Sequence, residues 1–211
     1  MQKYTVKTIK RSFDFVSSLI LFILISPLFL IICGLVYIKM GNPIFFQQIR
    51  SGRDQKPFTI IKFRTMTNQR DQDGNLLPDE KRQTKFGKFL RSSSLDELPE
   101  LLSIVKGDMS VIGPRPLPPS YDDFYSEREK KRFEVRGGLL PPDSVETSAI
   151  ISWDKQLEYE ALYAENLSIR NDIKILISAI RIIFKRNKTD YGSYVRLPLN
   201  EERASWNTQK D

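Results

Sequence analysis

The sequence predicts an α/β fold, mostly helical, in which an N-terminal segment enters a membrane and the rest of the chain folds as a small domain in the cytosol. Residues 15–38 form a run of 24 residues without a charge, and a helix that crosses a membrane needs roughly 20 apolar residues. Two short stretches rich in β-branched and aromatic residues follow, and several later segments carry apolar residues at helical spacing. We therefore expect a membrane anchor at residues 1–40, a cytosolic domain at residues 41–190 and a tail at residues 191–211.

The net charge and the rare residue types limit the chemistry of the chain. The net charge of +7 favours anionic partners such as a lipid surface, a nucleic acid or a phosphorylated substrate, although a basic surface without a specific partner is the simpler alternative. The absence of histidine excludes histidine bases, Ser–His triads and histidine-bound zinc. The single cysteine, Cys33, excludes an internal disulfide. A metal would therefore be held by oxygen ligands, with magnesium or manganese the best candidates.

The residues around the apolar segment indicate how it meets the membrane. Lysine and arginine residues precede the segment, and more of them follow it. Positive charge favours the cytoplasmic side of a membrane, so both ends qualify for that side. Ser26 and Pro27 stand near the middle, where proline removes a backbone hydrogen bond and a serine hydroxyl can satisfy the freed carbonyl. These features predict a re-entrant helix that breaks at Ser26–Pro27 and turns back; a straight span with a proline kink is the alternative.

The cytosolic part begins with two predicted strands and continues with helices. Residues 44–49 and 58–63 have strand composition around a turn, and residues 67–80 are a polar loop. Helices are predicted at residues 86–90, 95–105, 122–135, 153–164 and 173–184, a rigid turn at residues 113–116 and a Gly/Pro loop at residues 137–143. The last helix has an apolar stripe between basic residues, which suits either an anionic membrane surface or packing on the core. The tail after Tyr191 shows little pattern.

Two adjacent carboxylates, Asp96 and Glu97, are the first candidates for chemistry. Ser94 at an N-cap position, with Glu97 three residues later, matches a capping box in which these residues only begin a helix. The same helix start would offer backbone N–H groups to a bound phosphate. Adjacent helical positions point in different directions, so the two carboxylates would divide labour, one attacking and the other handling a proton or a metal.

Four cationic residues stand in short and distinctive contexts. They are Lys62, Arg64, Arg91 and Arg115, within the stretches Lys-Phe-Arg-Thr-Met, Leu-Arg-Ser-Ser-Ser and Gly-Pro-Arg-Pro. Arg115 lies between two prolines, whose stiff backbone suits an aimed contact with a phosphate. Each of the four, taken alone, is more often a surface charge than a ligand.

These features occur together in one known family. The apolar segment with Ser26–Pro27 comes first, residues 62–66 come second, and residues 90–116 come third. The third block contains Ser-Leu-Asp-Glu-Leu-Pro-Glu-Leu and Lys-Gly-Asp-Met-Ser-Val-Ile-Gly-Pro-Arg-Pro. From about residue 10 to residue 184 the chain resembles the bacterial sugar transferase family, the monotopic polyprenyl-phosphate phosphoglycosyl transferases, in the small form that is little more than the catalytic domain.

The resemblance implies a reaction and a set of residues. The family transfers a sugar 1-phosphate from a nucleoside diphosphate sugar, usually UDP-linked, to a polyprenyl phosphate such as undecaprenyl phosphate, at the cytoplasmic face of the bacterial inner membrane. Asp96 matches the family nucleophile, which expels UMP and forms a phosphosugar–aspartyl intermediate, and Glu97 matches its partner in the catalytic dyad. Mg²⁺ would bridge these carboxylates and the diphosphate. The substrate phosphates would be bound by the cationic residues Lys62, Arg64, Arg91, Arg115 and Arg136.

The resemblance also implies a fold, and the chemistry agrees with it. The family joins a membrane-penetrating helix–break–helix to a small α/β domain with amphipathic helices at the membrane interface. Phosphoryl transfer needs charge neutralisation more than acid–base catalysis, so magnesium and arginines suffice without histidine. An aspartate nucleophile splits the transfer into two steps, which predicts ping-pong kinetics.

One segment departs from the family pattern. After Val135 and Arg136 the family commonly continues with Pro-Gly and a Thr-Gly-Trp-Ala-Gln stretch, whereas residues 137–143 read Gly-Gly-Leu-Leu-Pro-Pro-Asp. Because this loop is expected to shape the nucleotide-sugar pocket, the sequence leaves both the sugar and the preference for uridine open.

Two other functions compete with the transferase. In the first, the chain is a membrane-bound interaction module whose Asp96 and Glu97 only cap a helix, but the presence of both carboxylates favours catalysis. In the second, the basic surface binds nucleic acid, but the chain has no known nucleic-acid motif and its apolar anchor argues against this. We therefore expect a nucleotide sugar, polyprenyl phosphate and membrane lipids as partners, and no nucleic acid. Formation of a homodimer and the choice among glycoprotein, capsule, O-antigen and exopolysaccharide pathways are open.

Overall fold

The computed structural model describes residues 2–146, 151–185 and 196–207. The helices are α1 (Gln2–Met40), α2 (Asp79–Arg82), α3 (Lys85–Ser92), α4 (Glu100–Lys106), α5 (Trp153–Glu165), α6 (Ile169–Lys185) and α7 (Leu199–Asn207). The strands are β1 (Phe45–Ser51), β2 (Pro57–Phe63), β3 (Ser110–Ile112) and β4 (Gly138–Leu140). β1 pairs with β2 and β3 pairs with β4, in two separate sheets. This composition agrees with the predicted mostly helical α/β class.

Helix α1 continues through the residues at which a break was predicted. Pro27 lies inside α1 and supplies no N–H for the carbonyl of Ile23, four residues earlier. The Ser26 hydroxyl donates a hydrogen bond of 2.8 Å to that carbonyl, as the sequence predicts. Because the freed acceptor is satisfied within the same turn, the helix is not interrupted, and the predicted separation into two helices is not found. The re-entrant path through a membrane stays a prediction.

The apolar part of α1 is long and exposed. Thr5–Met40, a stretch of 36 residues, is the one candidate span within the described parts of the chain that is long and apolar enough to cross a membrane. At 1.5 Å per residue its length is about 54 Å, which exceeds the roughly 30 Å of hydrocarbon in a bilayer. Leu24, Leu30 and Ile38 are among its largely exposed side chains. Exposed apolar surface of this extent supports association with a membrane.

The contacts divide the chain into two compact units. The larger unit comprises residues 1–14, 49–58 and 107–211, and the smaller unit comprises residues 15–48 and 59–106. The division cuts α1 after Asp14, immediately before the apolar run. The boundary predicted at residue 40 separates the membrane anchor from the cytosolic domain, and the boundary at residue 190 separates that domain from the tail. Both stay predictions.

A buried carboxylate fixes the start of α1 within the larger unit. Asp14 is 2% exposed and accepts hydrogen bonds from the Ser110 hydroxyl at 2.7 Å and from the Val111 N–H at 3.1 Å. One turn earlier, the Lys10 ammonium lies 2.8 Å from a carboxylate oxygen of Asp172 on α6. These contacts join residues between 96 and 162 positions apart, so no local pattern in the sequence predicts them.

Strands β3 and β4 form a parallel pair, with Ser110 opposite Gly138 and Ile112 opposite Leu140. The prediction of a loop at residues 137–143 is therefore wrong for β4. The close pairing requires glycine, because a Cβ on Gly138 would lie only 2.1 Å from the nitrogen of Gly113. A strand of three residues is too short for its side-chain alternation to be recognised in a sequence.

Two buried clusters build the core of the larger unit. The first joins Ile112 of β3 to Tyr163 of α5 and to α6. The second joins Trp153 of α5 to Leu199 of α7. The two helices predicted in this part of the chain are confirmed as α5 and α6. The tail, for which little pattern was predicted, contributes α7 to this core.

The charged helix predicted at residues 122–135 is not formed. Pro119–Phe124 and Glu129–Glu134 are 3₁₀ segments. Arg132 is 3% exposed, and its Nε lies 2.8 Å from a carboxylate oxygen of Glu160 on α5. The prediction of a charged surface holds for the exposed residues Asp123, Glu127, Arg128, Lys131 and Glu134. It is wrong for Arg132, which is buried with its partner.

The smaller unit packs the second part of α1 with β2 and α3. Its core comprises Ile32 and Val36 of α1, Phe63 of β2 and Leu90 of α3, each at most 3% exposed. The two predicted strands are confirmed as β1 and β2, and the helix predicted at residues 86–90 is confirmed as part of α3. This core supports the strand and the turn that carry the candidate catalytic residues.

Candidate active site

The turn that carries the two candidate carboxylates differs from the predicted helix start. Leu95–Glu97 form a 3₁₀ turn, and α4 begins only at Glu100. Ser94 adopts a left-handed conformation with a φ of 56° and makes no N-cap hydrogen bond through its side chain. The predicted capping box is therefore wrong. The α-helix therefore does not start at Ser94, and binding of phosphate by N–H groups of this turn stays a prediction.

The Glu97 side chain forms an ion pair. Its Oε1 lies 2.6 Å from the ammonium group of Lys62 on β2. The same ammonium lies 3.3 Å from Oε1 of Glu100, a residue that is 4% exposed. Lys62 therefore neutralises two carboxylates near the start of α4, and a partly buried group of charges is screened by salt less than an exposed pair.

Asp96 is buried beside this ion pair, with 9% of the residue exposed. Burial raises the pKa of the Asp96 carboxyl, and the negative charge of Glu97 raises it further, whereas Lys62 and Arg91 oppose the shift. Nε of Arg91 donates a hydrogen bond of 2.9 Å to the Thr65 hydroxyl. A poorly solvated carboxylate among charges of both signs is characteristic of active sites.

Arg64, a predicted phosphate ligand, occupies a different place. Its guanidinium is part of a residue that is 6% exposed. It donates to carbonyl oxygens at the end of α1, those of Met40, Gly41 and Asn42. Arg64 thus satisfies carbonyls that have no N–H partner at a helix C-terminus and compensates the negative end of the helix dipole. This geometry gives no support to a phosphate contact.

Arg115 and Arg136, the remaining predicted phosphate ligands, belong to the larger unit. The Arg115 side chain is exposed. Nε of Arg136 donates a hydrogen bond of 2.7 Å to the Gly107 carbonyl. Burial, together with the nearby positive charges of Arg53 and Arg11, lowers the pKa of Arg136.

The structure therefore gathers Asp96, Glu97, Lys62 and Arg91 in one site of the smaller unit. Glu100 is a fifth member that the sequence prediction did not assign. In the helix predicted at residues 95–105, its position four residues after Asp96 and three after Glu97 is the spacing at which side chains become neighbours, so the sequence contained a signal for it.

Of the three carboxylates in this site, Asp96 and Glu97 are the two that the sequence predicted as metal ligands. Within the described residues, no group of three or more aspartate, glutamate or cysteine side chains forms a metal site by itself. Mg²⁺ is commonly held by one or two carboxylates together with phosphate oxygens of a substrate. Asp96 and Glu97 are of the residue types in that pattern, and a bound diphosphate and water would supply the other ligands.

Comparison with known sequences identifies the family. Residues 5–186 match the family model described as bacterial sugar transferase. The chain belongs to the bacterial sugar transferase family. As a member of this family it is an enzyme of the transferase class.

The relatives of this sugar transferase include short and long proteins. The sugar transferase EpsL of Bacillus subtilis is 44% identical over 173 residues, which cover 82% of this chain and 86% of EpsL. A UDP-glucose:undecaprenyl-phosphate glucose-1-phosphate transferase of Klebsiella pneumoniae is 36% identical over 181 residues, covering 81% of this chain and 39% of that protein. The exopolysaccharide production protein ExoY of Sinorhizobium fredii is 32% identical over 188 residues, covering 81% and 83%. The sugar transferase described here thus spans most of EpsL and ExoY but well under half of the Klebsiella enzyme.

Proposed function

We propose that this sugar transferase moves a sugar 1-phosphate from a UDP-sugar to undecaprenyl phosphate or a similar polyprenyl phosphate and releases UMP. The central observation is the Asp96 carboxylate, buried beside the Glu97–Lys62 ion pair on the turn before α4. The name of the Klebsiella pneumoniae relative, a UDP-glucose:undecaprenyl-phosphate glucose-1-phosphate transferase, supports the same substrate classes for this chain. The reaction is an early membrane step in the assembly of a bacterial glycan.

The reaction consists of two phosphoryl transfers through Asp96. In the first, a carboxylate oxygen of Asp96 bonds to the phosphorus that carries the sugar, and the bond from that phosphorus to the UMP oxygen breaks. In the second, an oxygen of polyprenyl phosphate bonds to the same phosphorus, and the bond to Asp96 breaks, which restores the carboxylate. The products are UMP and a polyprenyl diphosphate sugar, and both steps follow the chemistry of a carboxylate nucleophile.

The charges near Asp96 suit this chemistry, because phosphoryl transfer depends on stabilising negative charge on the phosphoryl oxygens. Lys62 and Arg91 supply positive charge beside Asp96. Arg115 would bind a substrate phosphate, as the family resemblance implies. Glu97 would hold Mg²⁺ together with Asp96, and bound Mg²⁺ supplies charge neutralisation for the diphosphate.

The arrangement in the membrane is part of this proposal. The larger unit contains both residues 1–14, which precede the apolar run, and residues 107–211, which follow it. A compact unit lies on one side of a bilayer, so the contacts of Asp14 with Ser110 and Val111 support a re-entrant α1. We place the catalytic part on the cytoplasmic side because lysine and arginine flank the apolar run at both ends.

Helix α6 supports an interfacial position for the larger unit. Its residues Ile175 and Ala179 are buried. Its exposed isoleucines recur at helical spacing and are Ile169, Ile173, Ile177 and Ile180. One face of α6 therefore packs on the core, which is one of the two predicted alternatives, and the other presents the apolar surface that a membrane interface accepts. We propose that the exposed face lies on the membrane.

Purified protein with Mg²⁺, undecaprenyl phosphate and a panel of UDP-sugars provides the test, with UMP release as the readout. We expect release with at least one donor, and Asp96→Asn should reduce it by at least about 1,000-fold, because an amide does not replace the carboxylate nucleophile. Asp73→Asn, in the exposed loop, is the matched control and should be unaffected. An Asp96→Asn protein with parental activity would remove Asp96 as nucleophile, and a parent protein without UMP release would contradict the proposed reaction.

A further inference from the structure

A buried ion pair holds the backbone of Arg115 on both sides. The Arg115 N–H donates a hydrogen bond of 3.0 Å to Oε1 of Glu160. The Arg115 carbonyl oxygen accepts a hydrogen bond from the guanidinium of Arg132. Oε2 of Glu160 lies 2.8 Å from Nε of Arg132. The side chain of Glu160 is fully buried and that of Arg132 is 3% exposed. Two buried charged side chains therefore contact the backbone of Arg115, one at its N–H and the other at its carbonyl oxygen.

Further buried groups contact this ion pair, whose Nε and Oε2 atoms are close but are not aligned for a hydrogen bond. Arg132 donates a hydrogen bond of 2.6 Å to the Tyr125 hydroxyl, and its guanidinium lies over the rings of Tyr125 and Phe133. Nε2 of Gln156 donates to Oε1 of Glu160 at 3.1 Å. Charges buried to this degree cost free energy unless their hydrogen bonds are nearly all satisfied, and apolar replacements of similar size are often as stable. The pair is therefore better explained by what it positions than by stability alone.

The Arg115 side chain projects from an otherwise fixed turn. Pro114 and Pro116 restrict φ on either side of it. The Pro114 carbonyl accepts a hydrogen bond of 2.8 Å from the Gly138 N–H. The backbone of this turn is thus hydrogen-bonded at consecutive groups, while the Arg115 side chain is exposed.

We infer that Glu160 and Arg132 are positioning residues that present the Arg115 guanidinium to an anionic phosphate group of a substrate. This role rests on the proposed function, in which Arg115 binds a substrate phosphate. An arginine–phosphate contact depends on the orientation of the planar guanidinium, and a displacement of about 1 Å can cost about 100-fold in rate. Fixing the backbone at both the N–H and the carbonyl of Arg115 limits such displacement.

Two variants of Glu160 separate positioning from folding. Glu160→Gln keeps the size of the side chain and removes the charge that faces Arg132. Glu160→Asp keeps that charge, which protects the fold, and withdraws the carboxylate by one methylene. We expect each variant to lower kcat/KM for the UDP-sugar by about tenfold or more, mainly through KM. Glu158→Gln, on the same helix with a side chain that is 58% exposed, should leave kcat/KM unchanged, and a parental value for Glu160→Asp would overturn the inference.

A double-mutant cycle with Arg115→Ala identifies the route by which Glu160 acts. If Glu160 acts through Arg115, Glu160→Asp should change kcat/KM by less than about twofold once Arg115 is alanine, because the contact it positions is already gone. A merely structural role would reduce kcat/KM by the same factor in both backgrounds. Equal factors would therefore overturn the positioning role.

Amide hydrogen exchange separates this inference from the proposed function. The peptide containing residues 113–117 should exchange faster in Glu160→Asp than in the parent or in Glu158→Gln, because the Arg115 N–H loses its acceptor. This measurement requires no turnover. A parent protein that releases no UMP would overturn the proposed function, whereas unchanged exchange at residues 113–117 would overturn the positioning of Arg115.

Discussion

In the proposed reaction Asp96 must be ionised to attack phosphorus, yet its surroundings disfavour the charge. Burial and Glu97 raise the pKa of its carboxyl, and Lys62 and Arg91 offset part of that rise. Between the ordinary pKa and the raised one, the unfolded chain has released this proton while the folded protein retains it. The stability of the folded protein therefore falls as the pH rises through that window. Above the pKa of Asp96 in the folded protein, the full free-energy cost of its buried charge is present. Activity has the opposite dependence, because only the ionised carboxylate is nucleophilic.

The acid limb of the pH profile should report the raised pKa of Asp96. We expect kcat/KM for UMP release to decline as the pH falls through a value above the usual aspartate pKa of about 3.9. Lys62→Met removes the charge that lowers this pKa most, so its acid limb should shift to higher pH. Lys88→Met, which removes an exposed lysine of α3, is the control. Identical acid limbs for Lys62→Met and the parent would contradict the assignment.

Removing the buried charge should not cost stability. Asp96→Asn is expected to unfold at a Tm equal to or above that of the parent at neutral pH, since ionisation of the buried carboxyl is unfavourable. Thermal unfolding followed by circular dichroism measures this. A Tm several degrees lower would mean that the carboxylate mainly stabilises the fold, which is opposite to what its surroundings predict.

Among the helices and strands, α7 is held by contacts with residues that are far from it in the sequence. Leu199 is fully buried in the cluster that contains Trp153 and Leu157. Arg203 is 4% exposed, and its guanidinium lies 2.7 Å from a carboxylate oxygen of Glu129. Helix α7 therefore belongs to the core of the larger unit.

Truncating Leu199 should destabilise the protein. We expect Leu199→Ala to lower the free energy of unfolding by about 2–5 kcal/mol, because it leaves a cavity in a closed cluster. Leu197→Ala, at a residue that is 57% exposed, should change it by less than about 0.5 kcal/mol. Urea unfolding in detergent compares the two variants. Equal effects would show that α7 is not packed as described.

The helices and strands that could be predicted from the sequence are those whose residue pattern lies within the element itself. β1 and β2 are rich in β-branched and aromatic residues, and α5 and α6 repeat apolar residues at helical spacing. β3 and β4 have three residues each, and α7 is stabilised by residues such as Glu129 that lie far away along the chain. The sequence predicts a helix start at Leu95–Glu97 because Ser94 and Glu97 match a capping box by residue type. In the structure the Glu97 side chain instead forms an ion pair with Lys62.

The same distinction applies to the site as a whole. Asp96, Glu97 and Lys62 lie together as their motifs predict. Arg64 stands in an equally distinctive motif but contacts the end of α1, which a motif alone does not reveal. The roles of Glu160 and Arg132 were not predictable, because the contacts of each with Arg115 join distant positions of the chain.

For the whole molecule, the path of α1 is open to a direct test. If α1 is re-entrant, tags at Met1 and at Asp211 should both react with impermeant reagents only from the cytosolic side. Intact cells and inverted membrane vesicles provide the two orientations. A periplasmic loop tag on a known spanning protein is the control for sealed membranes. Labelling of Met1 from the outer side would instead establish a straight span.

The buried contacts of Asp14 also set an order of events during synthesis. Ser110, which satisfies one oxygen of Asp14, is 96 positions later in the chain, and translation at about 5–20 residues per second needs roughly 5–20 s to reach it. During that interval the apolar run is already available to the bilayer, while Ser110 and Val111 have not been made. The nascent chain then keeps its first turns outside the hydrocarbon by the cost of burying the charges of Asp14, Lys7, Lys10 and Arg11.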